Sequence, residues 1–106
     1  TGFPSIQGSG ENSCILHYTS NRRPLIKGGL LVSDIGAEYH GYTADVTRTI
    51  PPTGKFTKEQ KIIYELVIEA QTAGIEAAVE GASFWQPGLI SLYTLDIFNG
   101  LKLSLV

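Results

Sequence analysis

Between Leu30 and Ile50 the chain carries two β-type runs, Leu30-Leu31-Val32-Ser33-Asp34-Ile35 and Tyr42 to Ile50, joined by a connector that leaves room only for a tight reversal. Gly36 and Gly41 lie in that connector, so an antiparallel hairpin is the natural geometry. Pro51-Pro52 ends the second run because proline has no N–H to give to a ladder. A turn midpoint between Tyr39 and His40 sets Asp34 opposite Asp45, with Cβ atoms about 4.5–5.5 Å apart. Two like charges so placed repel, unless a cation lies between them or they share a proton. Carboxylates are hard oxygen ligands that suit Mg²⁺, Mn²⁺ or Zn²⁺. A pair on one face can bridge two ions about 3.5–4 Å apart, the arrangement of two-metal hydrolases. The spacing by itself leaves a second reading open, in which one aspartate merely flanks the turn and faces water, since a bulge shifts strand parity.

Around the hairpin, Ser5 to Glu11 reads as a loop about Gly8 and Gly10, and Cys14-Ile15-Leu16-His17-Tyr18 as a short strand. Asn21 to Gly29, with two arginines, a proline and a Gly-Gly pair, reads as a connector. Thr57-Lys58-Glu59-Gln60 fits a capping box at a helix start. Beyond it Ile63, Leu66, Val67, Ala70, Ala73, Gly74 and Ala77 form one apolar stripe, and Gly81 stands where a helix-ending glycine belongs. Leu89 to Leu105 fits helix or strand equally.

The 106 residues suffice for one small domain. A net charge of −2 offers no basic surplus for a phosphate backbone, so nucleic acid is not an expected partner. No apolar run approaches the length of about 20 residues that spans a bilayer. The single cysteine, Cys14, excludes an internal disulfide framework and fits a cytoplasmic setting. Of the 18 charged residues only Asp96 and Lys102 lie beyond Gly81, so the stretch from Ala82 is too poor in charge to be a self-sufficient surface. That imbalance, and a start at Thr1-Gly2-Phe3-Pro4, lead us to expect a portion of something longer or a processed product.

Three segments in register, Gly8-Ser9-Gly10-Glu11-Asn12-Ser13-Cys14-Ile15-Leu16-His17-Tyr18-Thr19, Asp34 through Thr49, and Gly54-Lys55-Phe56-Thr57, closely resemble aminopeptidase P. These are the Xaa-Pro aminopeptidases of the pita-bread metallopeptidase family, whose relatives include prolidase and methionine aminopeptidase. The resemblance spans residues 3 to 81, so 1–81 is expected to match the family's catalytic domain and 82–106 to be a poorly matching tail. It implies an α+β fold, the first half of a pita-bread domain, with antiparallel strands and one long helix packed on them. It also implies that Asp34 binds one ion and Asp45 bridges both in a dinuclear centre, with Mn²⁺ the usual metal. His17, which the residues alone favour as a half-buried strand histidine, matches under the resemblance a histidine lining the substrate pocket with a catalytic part. His40 falls in the turn and is expected to face solvent; Thr47 and Arg48 are expected to support the site.

The activity so implied is hydrolysis of the bond before a penultimate proline by a metal-bridging hydroxide, on peptides with proline in the second position, in a homo-oligomeric full-length protein. The family centre also needs a histidine and two glutamates from strands beyond the helix. His17 and His40 are the only histidines here and no glutamate follows Glu80, so the chain alone is expected to be inactive and prone to associate through an exposed sheet edge. Gly28-Gly29-Leu30 stands where relatives usually carry Asp-Gly-Asp, a departure that touches a turn. Two other readings stand beside this one: a prolidase-type dipeptidase, and a non-catalytic binding module of the same fold. The facing aspartates argue against the second.

Overall fold

In the computed structural model, which describes residues 1–102, the hairpin is the centre of the first of two compact units, spanning Thr1–Thr57. Its strands are β1 (Ile6–Ser9), β2 (Leu31–Ile35), β3 (Glu38–Tyr39), β4 (Tyr42–Thr43) and β5 (Val46–Ile50). β2 is the middle strand of a three-stranded antiparallel sheet ordered β1-β2-β5, and β3-β4 form a two-stranded extension around the turn. The turn is His40-Gly41, at φ 49° and 84°, between the paired Tyr39 and Tyr42. Positive φ at both central residues is the type I′ geometry whose twist matches the strands, and glycine takes the second position without a steric penalty. Gly41 N–H donates to Glu38 Oε1 at 2.8 Å, closing the turn.

This turn corrects the register expected from sequence. The midpoint lies between His40 and Gly41, one residue beyond the expected place, so Asp34 pairs with Thr47 and not with Asp45. The reason is local: the left-handed pair must be His40-Gly41, because Gly41 is the glycine available for it. The slip moves the cross-strand partner by two residues, and a period-2 strand keeps the same face under such a move.

Two further expectations are corrected. Cys14 to Tyr18 is not a strand: Gly10–Cys14 is a short 3₁₀ helix and the chain turns again through residues 15–17. Gly10 at φ 57° bends the backbone out of β1, and local bonds then occupy it, Ser13 Oγ donating to Gly10 O at 2.6 Å and Ile15 N–H to Asn12 O at 3.2 Å. The loop expected at Ser5–Glu11 holds β1 instead. Gly8 serves close approach there: a Cβ at Gly8 would stand 2.8 Å from Asn12 O and 2.8 Å from Ser13 Cα, so the 3₁₀ helix lies directly on the strand. The small core of this unit includes Ile6 and Ser9, and Ser9 Oγ accepts from Ile26 N–H at 3.2 Å.

The second unit, from Lys58 onward, contains α1 (Lys58–Glu76) and α2 (Gln86–Lys102), the second of them in the stretch that the sequence left open between helix and strand. α1 starts one residue after Thr57, as the capping signature requires, but ends at Glu76, and Gly81 (φ 82°) belongs to the connection that follows. Leu66, Ala70 and Gly74, four residues apart, form its buried line, whereas Ile63 and Val67 of the expected stripe are exposed. At Gly74 α1 lies tightly against α2, since a Cβ there would run into the Ser91 hydroxyl and stand 3.1 Å from Pro87 O. Phe84, Trp85, Leu89, Leu92 and Tyr93 are exposed.

Replacing Gly8 by alanine is expected to destabilise the chain by about 1–3 kcal/mol, because backbone atoms must give way. Gly41→Ala meets no atom within 4 Å and carries only the left-handed penalty, about 1–2 kcal/mol. Urea unfolding of both variants checks this, with amide shifts confined to residues 12–17 expected only for Gly8→Ala; a neutral Gly8→Ala contradicts the packing described.

Candidate metal centre

Asp34 lies on the middle strand, paired with Ile6 on one side and Thr47 on the other, so these three side chains form one row across the sheet. Two adjoining cavities open on that row. One, of about 370 Å³, is lined by Phe3, Pro4, Ile6, His17, Thr19, Asp34 and Asp45. The other, of about 240 Å³, shares Ile6, His17 and Asp34 and is otherwise walled by the 3₁₀ segment, Val32 and Thr47. The structure therefore brings His17, Asp34 and Asp45 to one cavity, although they come from a turn, a strand and a strand junction.

Each position has a local cause. Asp45 sits where β4 gives way to β5, across from the position of Gly36. Gly36 is buried, its carbonyl accepts from Gly2 N–H at 3.1 Å, and a Cβ there would collide with Ala44 O and the Phe3 ring. Only glycine lets the 44–45 segment and Phe3 close in around it, which sets one wall of the larger cavity. Asp45 itself is exposed. His17 lies on the turn after the 3₁₀ helix at φ 55° and is exposed, not on a strand as the sequence suggested. His40 is exposed in the hairpin turn, as expected, its ring edge-on to Tyr39 with centroids 4.2 Å apart.

The electrostatics single out one atom. Asp34 Oδ1 is buried and has no hydrogen-bond partner in the structure. An unpaired carboxylate oxygen removed from water is costly, and such oxygens are ordinarily satisfied by donors or by a metal. Its position in a cavity with a second carboxylate makes a divalent cation a chemically fitting partner. Among the described residues no group of three or more His, Cys, Asp or Glu side chains is arranged to hold a metal, so the donor set here is partial. Of the expected supporting residues, Thr47 stands beside Asp34 in the ladder, while the Arg48 guanidinium donates to Thr47 O at 2.8 Å and is exposed.

The chain spanning the cavities is tied at two points that sequence reading did not find. The Arg23 guanidinium pairs with the Glu11 carboxylate of the 3₁₀ helix. The side chain of Asn21 bonds β1, with Gln7 N–H donating to its Oδ1 at 2.7 Å and its Nδ2 donating to Ser5 O at 2.7 Å. Both ties are tertiary and leave no periodic mark in a sequence.

Residues 1–97 match the family model for metallopeptidase family M24, and the chain belongs to that metallopeptidase family. Within it, the chain is 50% identical over 84 residues to a Xaa-Pro aminopeptidase of Haemophilus influenzae, 79% of this chain and 20% of that protein. It is 46% identical over 81 residues to a Xaa-Pro aminopeptidase of Escherichia coli, 76% of this chain and 18% of that protein. The solved Pseudomonas aeruginosa aminopeptidase PepP superposes with a TM-score of 0.91 at 35% identity, covering 99% of this chain and 24% of that one. The chain is thus a partial α+β pita-bread domain of the aminopeptidase P type, spanning about a fifth of the length of the curated relatives it matches. Among the described residues no helix is long and apolar enough to cross a membrane.

The Arg23 charge and hydrogen bond hold the Glu11 carboxyl below its ordinary value of 4.5. A depressed pKa means that the pair's contribution is fully present above the ordinary glutamate range and is lost as pH falls through the lowered value. A carboxyl-carbon NMR titration is expected to place the Glu11 midpoint below 4.5 and to return it to that value in Arg23→Gln; an unchanged midpoint in the variant contradicts the pairing.

Proposed function

We propose that this chain supplies Asp34 and Asp45 as carboxylate ligands of a dinuclear divalent-metal centre, with Mn²⁺ its metal, in an enzyme that removes the N-terminal residue from peptides with proline in second place. The observation that carries this reading is the buried, unpartnered Asp34 Oδ1 at a cavity it shares with Asp45 and His17. The relatives' names, Xaa-Pro aminopeptidase in both cases, support the substrate class and favour the aminopeptidase over the dipeptidase.

The roles follow from placement. Asp34, fixed in the middle strand with one oxygen unsatisfied, is the rigid ligand. Asp45, exposed at a strand junction on the same cavity, would supply the second carboxylate. Divalent ions bound there would lower the pKa of a water and polarise the scissile carbonyl. His17 projects from a turn at the same cavity, where its imidazole can hold a peptide carbonyl or exchange a proton with it. Phe3, Pro4 and Ile6 give that cavity an apolar wall. Thr47 stands beside Asp34 in the β2-β5 ladder and lines the smaller cavity with it.

Two carboxylates and water hold a metal weakly, since affinity and selectivity rise with ligand number and geometry. The family resemblance implies that the remaining ligands, a histidine and two glutamates, lie outside these residues, and we read the 106-residue chain as inactive alone. Residues 1–106 are on this view one portion of the catalytic domain. The exposed Phe84 and Trp85 suit burial against further protein in a homo-oligomeric whole, and the exposed, unbridged Cys14 suits a reducing cytoplasm.

A Mn²⁺ titration followed by water-proton relaxation tests the reading. The chain is expected to bind with a Kd of about 10⁻⁴–10⁻³ M, the range of weakly liganded oxygen sites. Asp34→Asn and Asp45→Asn are each expected to weaken binding at least several-fold while leaving the fold intact, and no Xaa-Pro peptide is expected to be cleaved. Binding indifferent to both substitutions contradicts the assignment, and cleavage by the chain alone contradicts the partial site.

A further inference from the structure

His17 and Thr19 reach the larger cavity from a segment with no regular structure of its own beyond the 3₁₀ helix. Two residues of it, His17 (φ 55°) and Asn21 (φ 50°), hold left-handed conformations that L-residues enter only when something fixes them. Asparagine is among the few residues that enter this region readily. At Asn21 the same residue also supplies the fixing bond, because one carboxamide both accepts from Gln7 N–H and donates to Ser5 O, each at 2.7 Å. Those two groups lie on the outer edge of β1, the edge away from β2, and they flank Ile6. Ile6 is a core residue, lines both cavities and pairs with Asp34. The carboxamide thus occupies the place a further strand would take and couples the His17 segment to the strand that abuts Asp34.

We infer that Asn21 is a positioning residue, which through its two bonds to β1 holds His17 and Thr19 over the cavity of Asp34 and Asp45. The inference rests on the reading of that cavity as the reaction site, but the coupling is a property of this chain's own residues. The Arg23 tie is of another kind, holding the segment to Glu11 of the 3₁₀ helix and not to β1. An aspartate would keep the acceptor and the left-handed preference yet set a carboxylate oxygen against Ser5 O. A glycine would keep the backbone conformation and lose both bonds.

The test uses NMR of the chain, in which His17 and His40 are the only histidines and His40 serves as an internal control in the hairpin turn. In the wild-type chain, nuclear Overhauser contacts are expected between the His17 imidazole and the Ile6 side chain. In Asn21→Gly they are expected to fall several-fold while cross-strand contacts of Asp34 with Thr47 persist, and in Asn21→Asp to fall part of the way. Should Asn21→Gly not fold, Asn21→Asp alone carries the comparison. Wild-type contacts of undiminished intensity in the variants overturn the inference. Mn²⁺ added to the wild-type chain then separates this result from the metal reading. Selective broadening of His17 over His40 is expected; equal broadening counts against the metal centre, while the metal-free contacts still decide the role of Asn21.

Discussion

The pairing of β2 with β5 is the constraint on which the rest of the first unit depends. It is set by a two-residue turn with both residues left-handed, and the turn fixes every partner downstream, including Thr47 beside Asp34. Because β2 is central, Asp34 is walled in by a strand on each side, and this is how a charged group comes to have a buried oxygen without a donor. A single-residue slip in β2 would turn Asp34 to the opposite face, where Gln7 and Ser33 hydrogen-bond at 2.8 Å. The placement of Asp34 at this cavity is therefore a consequence of turn chemistry several residues away.

Glycines do the corresponding work where backbone must approach backbone. Gly8 admits the 3₁₀ helix onto β1, and Gly36 admits Ala44 and Phe3 at the hairpin's flank. Between them they shape two walls of the same pair of cavities. Asn21 and the Glu11–Arg23 pair then tie down the irregular segment that follows the 3₁₀ helix. A sheet face, two close approaches and two side-chain ties are enough to collect residues from separate elements around one unsatisfied carboxylate oxygen.

Much of this was legible in the sequence, in proportion to how local its cause is. The helix start at Thr57, the strand at Leu31–Ile35 and the break at Pro51 each follow from a few adjacent residues, and each stands within a residue or two of its expected place. Hairpin geometry brought Asp34 and Asp45 to one place, and they do line one cavity, although the expected direct pairing was two residues off, because Gly41 and not the connector's centre decides the turn. Cys14 to Tyr18 misled because β propensity describes what a half-buried pleated surface accepts, and no neighbouring strand is there to accept it. Gly8 and Gly10 looked alike, yet one is a buried strand residue under close contact and the other a left-handed exit from the strand. α2 was ambiguous because its apolar residues run all round, and the carboxamide bridge of Asn21 was invisible because its partners lie 14 and 16 residues away.

The central claim is that Asp34 and Asp45 are two ligands of one metal centre. Anomalous diffraction at the manganese edge, from crystals of the protein grown with Mn²⁺, tests it most directly. The account predicts anomalous density bonded to an oxygen of Asp34, with Asp45 in the same coordination sphere and His17 nearby but not a ligand. Manganese bound elsewhere, with the Asp34 carboxylate satisfied by protein donors instead, would contradict it.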